Sequence, residues 1–102
     1  MNEQPPSADP VISPETVVVA SPDQVSSDLA GESVILNLKT GTYYGLNSVG
    51  NSVWLLIQDP KSVREICEAI TQEYEVDLQT CEQDIQVLLV DLLSAQLIEI
   101  KA

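Results

Sequence analysis

A chain of 102 residues is long enough for one small domain with a modest hydrophobic core. Its 16 acidic residues against 4 basic ones give a formal charge of −12, which repels phosphate backbones and anionic lipid and argues against sequence-independent nucleic-acid binding. The chain contains no histidine, and this argues against most hydrolase and zinc-site hypotheses.

The first fifteen residues, MNEQPPSADPVISPE, are rich in proline and contain no basic residue. This composition cannot offset the entropy of ordering, so we expect a flexible tail over residues 1–15 and a folded domain over residues 16–102. Neither a signal pattern nor a membrane-length apolar run is present, and a cytoplasmic protein is expected. Cys67 and Cys81 form no metal-ligand pattern, so we expect two free core thiols, no metal and no cofactor.

The segment after the tail, up to Asn47, has the alternating and β-branched residues of a small antiparallel meander. Two runs compete for its first strand, because Gln24 to Leu29 fits by spacing whereas Val17 to Ala20 has the better strand propensity. Both runs can pair, and we favour Gln24 to Leu29 as the one that contributes to the core. In the next strand one face carries Val34, Leu36 and Leu38 and the other carries Ile35, Asn37 and Lys39, the alternation of a half-buried sheet.

A turn at Lys39-Thr40-Gly41 ends that strand, because Gly41 can take the positive φ of a tight hairpin. Thr42 to Leu46 is predicted to return as the last strand of the meander. The sequence period then changes from 2 to 3.6, which predicts that a helix begins there.

Three helices are predicted in the second half of the chain. The first is capped by Asn47 or Ser48 and extends to about Gln58, with Val49, Val53, Trp54 and Ile57 near one face. The second opens on the capping box Ser62 to Glu65, and its apolar residues are Val63, Ile66, Cys67, Ile70 and Tyr74. The third, Gln79 to Gln96, is capped by Asp77 or by Thr80 with Gln83, and its apolar face comprises Ile85, Leu88, Leu89 and Leu92.

The chain ends in an aliphatic segment, with Leu97, Ile98 and Ile100 as an extended piece or a core plug. Strands therefore come first and helices afterwards, with no parallel βαβ unit. The predicted fold class is α+β, an N-terminal antiparallel three-stranded meander followed by three helices.

An ordered set of short motifs resembles the PqqD-like family over roughly residues 24 to 100. The set consists of Leu36, Thr40-Gly41, Tyr43-Tyr44, Leu46-Asn47, Val53-Trp54, Ser62-Val63-Arg64-Glu65-Ile66, Tyr74-Glu75-Val76-Asp77 and Asp84-Ile85. Two features depart from the family pattern: Gln96 stands where a glycine commonly precedes the final Leu-Ile, and the acidic, proline-rich N-terminus lies beyond it.

The resemblance implies a small winged-helix-like domain that recognises the leader segment of ribosomally made, post-translationally modified peptides. Such domains are non-catalytic adaptors that present the leader to a processing enzyme. In lasso-peptide clusters a free-standing version works with a transglutaminase-like cysteine protease, and in cofactor clusters with a radical SAM enzyme. The lasso-peptide version is slightly favoured here.

The implied mode of binding is the addition of a leader strand to the open edge of Thr42 to Leu46, in a trough against the third helix. We expect Tyr43, Tyr44, Gly45 and Leu46 on the edge strand to take part, although successive tyrosines point to opposite faces and at most one can line the trough fully. On the helix, one flank offers Asp84, Val87, Leu88 and Asp91, and the other offers Gln86, Leu89 and Leu93. We favour the first flank because it combines a valine with two acids.

Three other functions fit the sequence less well. A winged-helix DNA-binding domain needs basic or amide side chains toward the bases, yet the predicted third helix has no basic residue. A carrier protein would use a serine such as Ser48 for its prosthetic arm, but the Asp-Ser-Leu signature is missing and half of the domain has a β pattern. An enzyme would need a nucleophile beside a recognisable base, and none is apparent.

Overall fold

The computed structural model describes residues 12–29 and 32–101. Six strands and three helices are found in these residues. The strands are β1 (Val17–Ala20), β2 (Gln24–Leu29), β3 (Glu32–Asn37), β4 (Tyr43–Leu46), β5 (Lys61–Ser62) and β6 (Ile98–Lys101). The helices are α1 (Ser48–Leu56), α2 (Val63–Glu73) and α3 (Leu78–Ser94). The predicted fold class, α+β with a meander before three helices, is confirmed.

The predicted meander is the antiparallel sheet β2-β3-β4. Its turn lies where the sequence predicts it: Gly41 has φ of 76°, and its backbone N–H donates to the carbonyl of Asn37 at 2.9 Å. An L side chain rarely adopts this conformation, which explains why glycine occupies the turn. Each strand pairs residue for residue with the next, with Val25 opposite Leu36 and Leu36 opposite Tyr43.

The face of β3 that packs into the core is the one that carries polar residues. Ile35 is fully buried and Asn37 is 2% exposed, whereas Val34 on the opposite face is 38% exposed. Asn37 can be buried because its amide is satisfied: Nδ2 donates to the carbonyl of Gln96 at 2.7 Å, and Oδ1 accepts from the N–H of Lys39 at 2.8 Å and of Thr40 at 3.1 Å. The side chain thereby connects the hairpin turn to the end of α3.

Both candidate first strands form, but in different sheets. Gln24–Leu29 is in the meander, and Val17–Ala20 is the middle strand of a second sheet, β5-β1-β6. The expectation that Gln24–Leu29 is the core strand is wrong, because Val25 is 49% exposed whereas Val18 on β1 is fully buried. β1 pairs along its whole length with the C-terminal strand β6, from Val17 opposite Lys101 to Ala20 opposite Ile98. The aliphatic C-terminal segment is therefore a strand that carries core residues, since Leu97 and Ile98 are both buried.

The helices begin where their capping residues predict. Asn47 Oδ1 accepts from Gly50 N–H at 2.9 Å to cap α1, and Asp77 Oδ2 accepts from Thr80 N–H at 3.0 Å to cap α3. Ser62 and Glu65 form the reciprocal capping box of α2, with bonds of 2.8 and 3.1 Å. α1 ends at Leu56, two residues before the predicted Gln58.

The core lies between the helices and the inner faces of the two sheets. Trp54 is 2% exposed and both cysteines are buried and free, as the apolar stripes predicted. Burial and the neighbouring Cys81 thiol raise the pKa of Cys67 to about 12, so this thiol is protonated at neutral pH. Among the described helices, none has both the length and the apolar composition needed to cross a membrane.

Residues 12–15, which the sequence placed in the tail, contact the domain. Ile12 is 7% exposed, and its carbonyl accepts from Gln86 Nε2 at 3.0 Å. The carbonyl of Pro14 accepts from Arg64 N–H at 2.9 Å, and Glu15 forms an exposed ion pair with the Arg64 guanidinium at 2.7 Å. The part of the predicted tail at residues 1–11 lies outside the described residues.

Candidate functional site

A groove of about 490 Å³ lies between strand β4 and helix α3. The end of β4 and the start of α1 form one wall, and α3 forms the other. The residues that line the groove are Tyr44, Gly45, Leu46, Asn47, Val49, Gly50, Asp84, Ile85, Val87, Leu88 and Asp91. The wall on α3 therefore combines aliphatic side chains with two carboxylates.

Strand β4 presents an open edge to this groove, because β3 is its only strand partner among the residues that the structure describes. The N–H of Asn37 donates to the carbonyl of Thr42 at 2.8 Å, which fixes the hydrogen-bonding phase of the ladder. Bonded and non-bonded pairs alternate in an antiparallel ladder, so Tyr44 and Leu46 bond toward Ile35 and Ser33. The backbone N–H and C=O groups of Tyr43 and Gly45 consequently point away from β3, toward the open edge.

Tyr44 connects the two walls of the groove. Its side chain lies on the inner face of β4, half-buried, and its hydroxyl donates to Asp91 Oδ2 on α3 at 3.3 Å. Burial and then the negative charge of Asp91 raise the pKa of the phenol, so it stays protonated at neutral pH. A neutral donor therefore faces one of the two carboxylates in the groove.

The floor of the groove is set by a close approach of α1 to β4. Leu46 is 4% exposed and packs directly beneath Gly50. A Cβ at Gly50 would lie 3.0 Å from Leu46 Cδ2 and 3.4 Å from Asn47 Oδ1, so a larger residue would displace one of them. Gly45 differs, because a Cβ there would meet nothing within 4 Å, and the protein's own packing does not require glycine at this position.

The flank of α3 that the sequence favoured is the one that lines the groove, with Asp84, Val87, Leu88 and Asp91. The other flank is engaged elsewhere: Leu89 is fully buried in the core, and Gln86 donates to the carbonyl of Ile12. Val87 stands out because an apolar side chain here is 64% exposed. This flank thus offers apolar contact between two negative charges.

The structure brings together seven of the eight residues predicted from the sequence, namely Tyr44, Gly45, Leu46, Asp84, Val87, Leu88 and Asp91. Tyr43 is separate. Its side chain lies on the outer face of the meander beside Leu36 and is 72% exposed, so only its backbone faces the open edge.

Four lining residues were missed by sequence reasoning: Asn47, Val49, Gly50 and Ile85. Asn47 was assigned only a capping role, and Ile85 only a core role. A signal was available in the sequence, because Asn47 directly follows the edge strand and Gly50 lies in the first turn of the next helix. A glycine in such a place is consistent with a close approach of the backbone.

An open sheet edge beside a groove for side chains is the feature by which several kinds of domain accept an extended peptide as an added strand. Residues 32–98, well over half of the chain, match the family described as coenzyme PQQ synthesis protein D, PqqD. The chain therefore belongs to the PqqD family, as the motif set predicted.

Two solved structures are similar to this chain. TbiB1 in complex with the TbiA(beta) leader peptide shares 40% sequence identity with a TM-score of 0.75, over 82% of this chain and 98% of that chain. Lasso peptide synthetase B1 complexed with the leader peptide shares 23% identity with a TM-score of 0.70, over 80% of this chain and 96% of that chain, a likeness of fold. No curated protein matches the chain.

Proposed function

We propose that this chain is an adaptor that binds the leader segment of a ribosomally made precursor peptide in the β4–α3 groove and presents it to a processing enzyme. The observation that carries the proposal is the open β4 edge at Tyr43 and Gly45, which faces a groove lined by Val87 and Leu88. The 40% identity to TbiB1, which was solved with a leader peptide, supports it.

Binding proceeds by strand addition. The outward N–H and C=O groups of Tyr43 and Gly45 pair with an extended peptide, and these bonds tolerate variation in its sequence. Side chains of the peptide that alternate toward the inner face enter the groove, where they contact Leu46 and Leu88. Gly45 has no side chain to obstruct a second backbone.

The carboxylates of Asp84 and Asp91 select the charge of the peptide. Both lie on the groove wall of a chain whose formal charge is −12, so an acidic segment is repelled and a basic side chain is attracted. We expect a leader that carries a lysine or arginine next to its apolar anchors. We also expect its affinity to decrease as the salt concentration rises, because part of the attraction is screened.

The adaptor performs no catalytic step in this proposal. The chain lacks histidine, and the thiols of Cys67 and Cys81 are buried with raised pKa values, so neither is an available nucleophile. Two free thiols also agree with a reducing compartment, and we place the protein in the cytoplasm.

Lasso-peptide biosynthesis is the pathway we favour, with a transglutaminase-like cysteine protease as the processing enzyme. The second candidate is a peptide chaperone for a radical SAM enzyme in cofactor maturation, which the description of the family as a coenzyme PQQ synthesis protein favours. The enzyme genes beside this one distinguish the two, since a lasso cyclase with a protease supports the first and a radical SAM gene the second.

The test is fluorescence polarisation with labelled leader peptides encoded beside this gene. We expect a dissociation constant in the low micromolar range or below, about 8 kcal/mol or more, as for a short strand with a few anchored side chains. Val87→Glu should reduce the affinity about tenfold or more, because a hydrated carboxylate replaces the apolar surface that an anchor side chain of the leader contacts. The attraction of one more exposed carboxylate for a basic leader residue is too weak to offset this loss.

Leu55→Glu is the matched control for Val87→Glu. Both side chains are 64% exposed on a helix, but Leu55 lies on α1 outside the groove. We expect Leu55→Glu to bind the leader as the wild type does. The proposal is wrong if the folded protein binds none of the neighbouring leaders, or if both variants bind them equally well.

A further inference from the structure

The outer face of the meander carries a row of apolar side chains that no described element covers. Val25, Leu36 and Tyr43 lie opposite one another on the three strands, and Val34 lies beside them. Val25 is 49% exposed, Val34 38% and Tyr43 72%. The inner face, with Ile35 and Leu46, packs on the core, so the outer row is not part of it.

Such a row is more than scattered surface hydrophobicity. Directly opposed residues on neighbouring strands have Cβ atoms about 5 Å apart, so these side chains form one continuous patch. A contiguous exposed apolar patch on a small acidic domain is a mark of an interaction surface. We call the four residues Val25, Val34, Leu36 and Tyr43 the outer patch.

The outer patch is continuous with the open edge of β4. A peptide strand added to that edge would become the fourth strand of the same sheet. Every second side chain of the peptide would then lie beside Tyr43 on the outer face, since side chains alternate between the faces of a strand. A protein seated on the outer patch would touch the adaptor and its bound leader together.

Charge indicates which kind of partner fits this surface. Residues 23–46, which comprise the meander and its turns, contain Asp23, Asp28 and Glu32 but only one basic residue, Lys39. Lys39 is already paired with Asp23 at 3.2 Å. A second copy of this chain would bring two charges of −12 together, which is unfavourable. A complementary surface is apolar at its centre and bordered by lysine or arginine.

We propose that the outer patch is the docking surface for the leader-processing enzyme, which presents an apolar patch with a basic border. This inference rests on the proposed function. Two parts of the meander then have different roles. The β4 edge and the groove bind the leader, and the outer patch binds the enzyme that processes the leader.

The test uses Val25→Ser and Val25→Lys in the full chain, with the purified processing enzyme encoded beside this gene. Val25 is on β2, so a leader on the far side of β4 is three strand spacings away, roughly 14 Å. Both variants should therefore bind the labelled leader within about twofold of wild type. Leu78→Ser is the matched control, because Leu78 is 50% exposed at the start of α3, outside the meander.

We expect Val25→Ser to reduce kcat/KM for leader processing about fivefold or more and Val25→Lys to reduce it further, with Leu78→Ser unchanged. Direct binding of the adaptor to the enzyme without leader, measured by biolayer interferometry, should weaken in the same order. Wild-type processing and enzyme binding by both Val25 variants would overturn the inference.

Two further measurements keep this inference separate from the proposed function. If no leader binds but enzyme binding still depends on Val25, the docking surface stands and the leader proposal falls. If sedimentation velocity shows a wild-type dimer that Val25→Lys converts to a monomer, the occupant is a second copy and the enzyme-docking inference is overturned.

Discussion

Two adjacent tyrosines in this chain have different environments because they are neighbours on a strand. Tyr44 lies on the inner face and donates to Asp91 across the groove, while Tyr43 lies on the outer face and is mostly exposed. Alternation along a strand makes this separation obligatory. The sequence predicted that at most one tyrosine lines the trough, and the structure places Tyr44 there.

Gln96 occupies a backbone position that favours glycine. Its φ is 59°, and it is the only described residue other than glycine with a positive φ. A side chain in this left-handed region costs roughly 1–2 kcal/mol because Cβ approaches the following carbonyl oxygen. In this conformation the Gln96 carbonyl accepts from Asn37 Nδ2, which ties the end of α3 to the meander.

We expect Gln96→Gly to raise the free energy of unfolding by about 1 kcal/mol, since glycine relieves this strain and loses part of the gain to chain entropy. Urea denaturation, monitored by circular dichroism, measures this change in the free energy of unfolding. The control is Gln83→Gly at an exposed position within α3, which should lower stability by about 1 kcal/mol. A destabilised Gln96→Gly variant would contradict the strain argument.

At the scale of the element, the meander has two open edges with different surroundings. β4 faces the groove, whereas the outer edge of β2 has no strand beside it among the described residues. Leu38 N–H donates to the carbonyl of Asp23 at 2.9 Å, so the ladder phase turns the N–H of Ser26 outward, like that of Gly45 on β4. Ser26 and Gly45 therefore each present one outward backbone N–H at an edge of the sheet, but only Gly45 lines the groove.

This equivalence gives a matched test of strand addition. Gly45→Pro and Ser26→Pro each remove one outward donor without removing a ladder bond, so both variants should remain folded by circular dichroism. We expect Gly45→Pro to weaken leader binding about tenfold or more and Ser26→Pro to leave it unchanged. Leu46→Pro is less informative, because its N–H bonds toward β3 and its loss disturbs the sheet itself.

The cap of α3 makes a titratable contribution to stability. Hydrogen bonds from the Thr80 hydroxyl and then the Thr80 N–H lower the pKa of Asp77 below its usual value of 3.8. The folded state therefore favours the charged form, so its contribution is complete above pH 3.8 and is lost as the pH falls through the lowered pKa.

Asp77→Asn tests this contribution because asparagine caps a helix but does not titrate in this range. The difference in unfolding free energy between wild type and Asp77→Asn should shift in favour of the variant as the pH falls from about 7 to about 2. Urea titrations of both proteins at several pH values measure the difference. A difference that is constant over this range would show that Asp77 has the same pKa in both states.

At the scale of the whole molecule, the two ends of the described chain meet on the helical body. β1 pairs with β6, and Ile12 packs near α3, with its carbonyl bonded to Gln86. The folded unit thus extends N-terminally to Ile12, four residues before the predicted boundary at residue 16.

Two deletions test this boundary. Removal of residues 2–11 should leave the unfolding free energy unchanged if the tail prediction holds. Removal of residues 2–15 should lower it by about 2 kcal/mol, the contribution of one buried isoleucine side chain. Thermal denaturation measures both. Equal stability of the two deleted proteins would show that the Ile12 contacts do not stabilise the fold.

Much of this protein is determined locally by its sequence. The hairpin at Gly41, the caps at Asn47 and Asp77 and the capping box at Ser62 depend on residues within four positions of each other, so each could be predicted and each is found. The two flanks of α3 also follow from helical periodicity. The ordered set of motifs was sufficient to predict the family, because its residues are distributed over most elements of the fold.

Tertiary structure decided the rest, since it depends on contacts between distant residues. Alternation on β3 does not specify that the face with Asn37 is buried, because the partners of that amide at Ala95 and Gln96 are 58 and 59 positions away. The pairing of β1 with β6 joins the two ends of the chain and has no local signal. Only the tertiary structure placed Tyr44 in the groove and Tyr43 outside it, because the packing of the helices determines which face of the meander is buried.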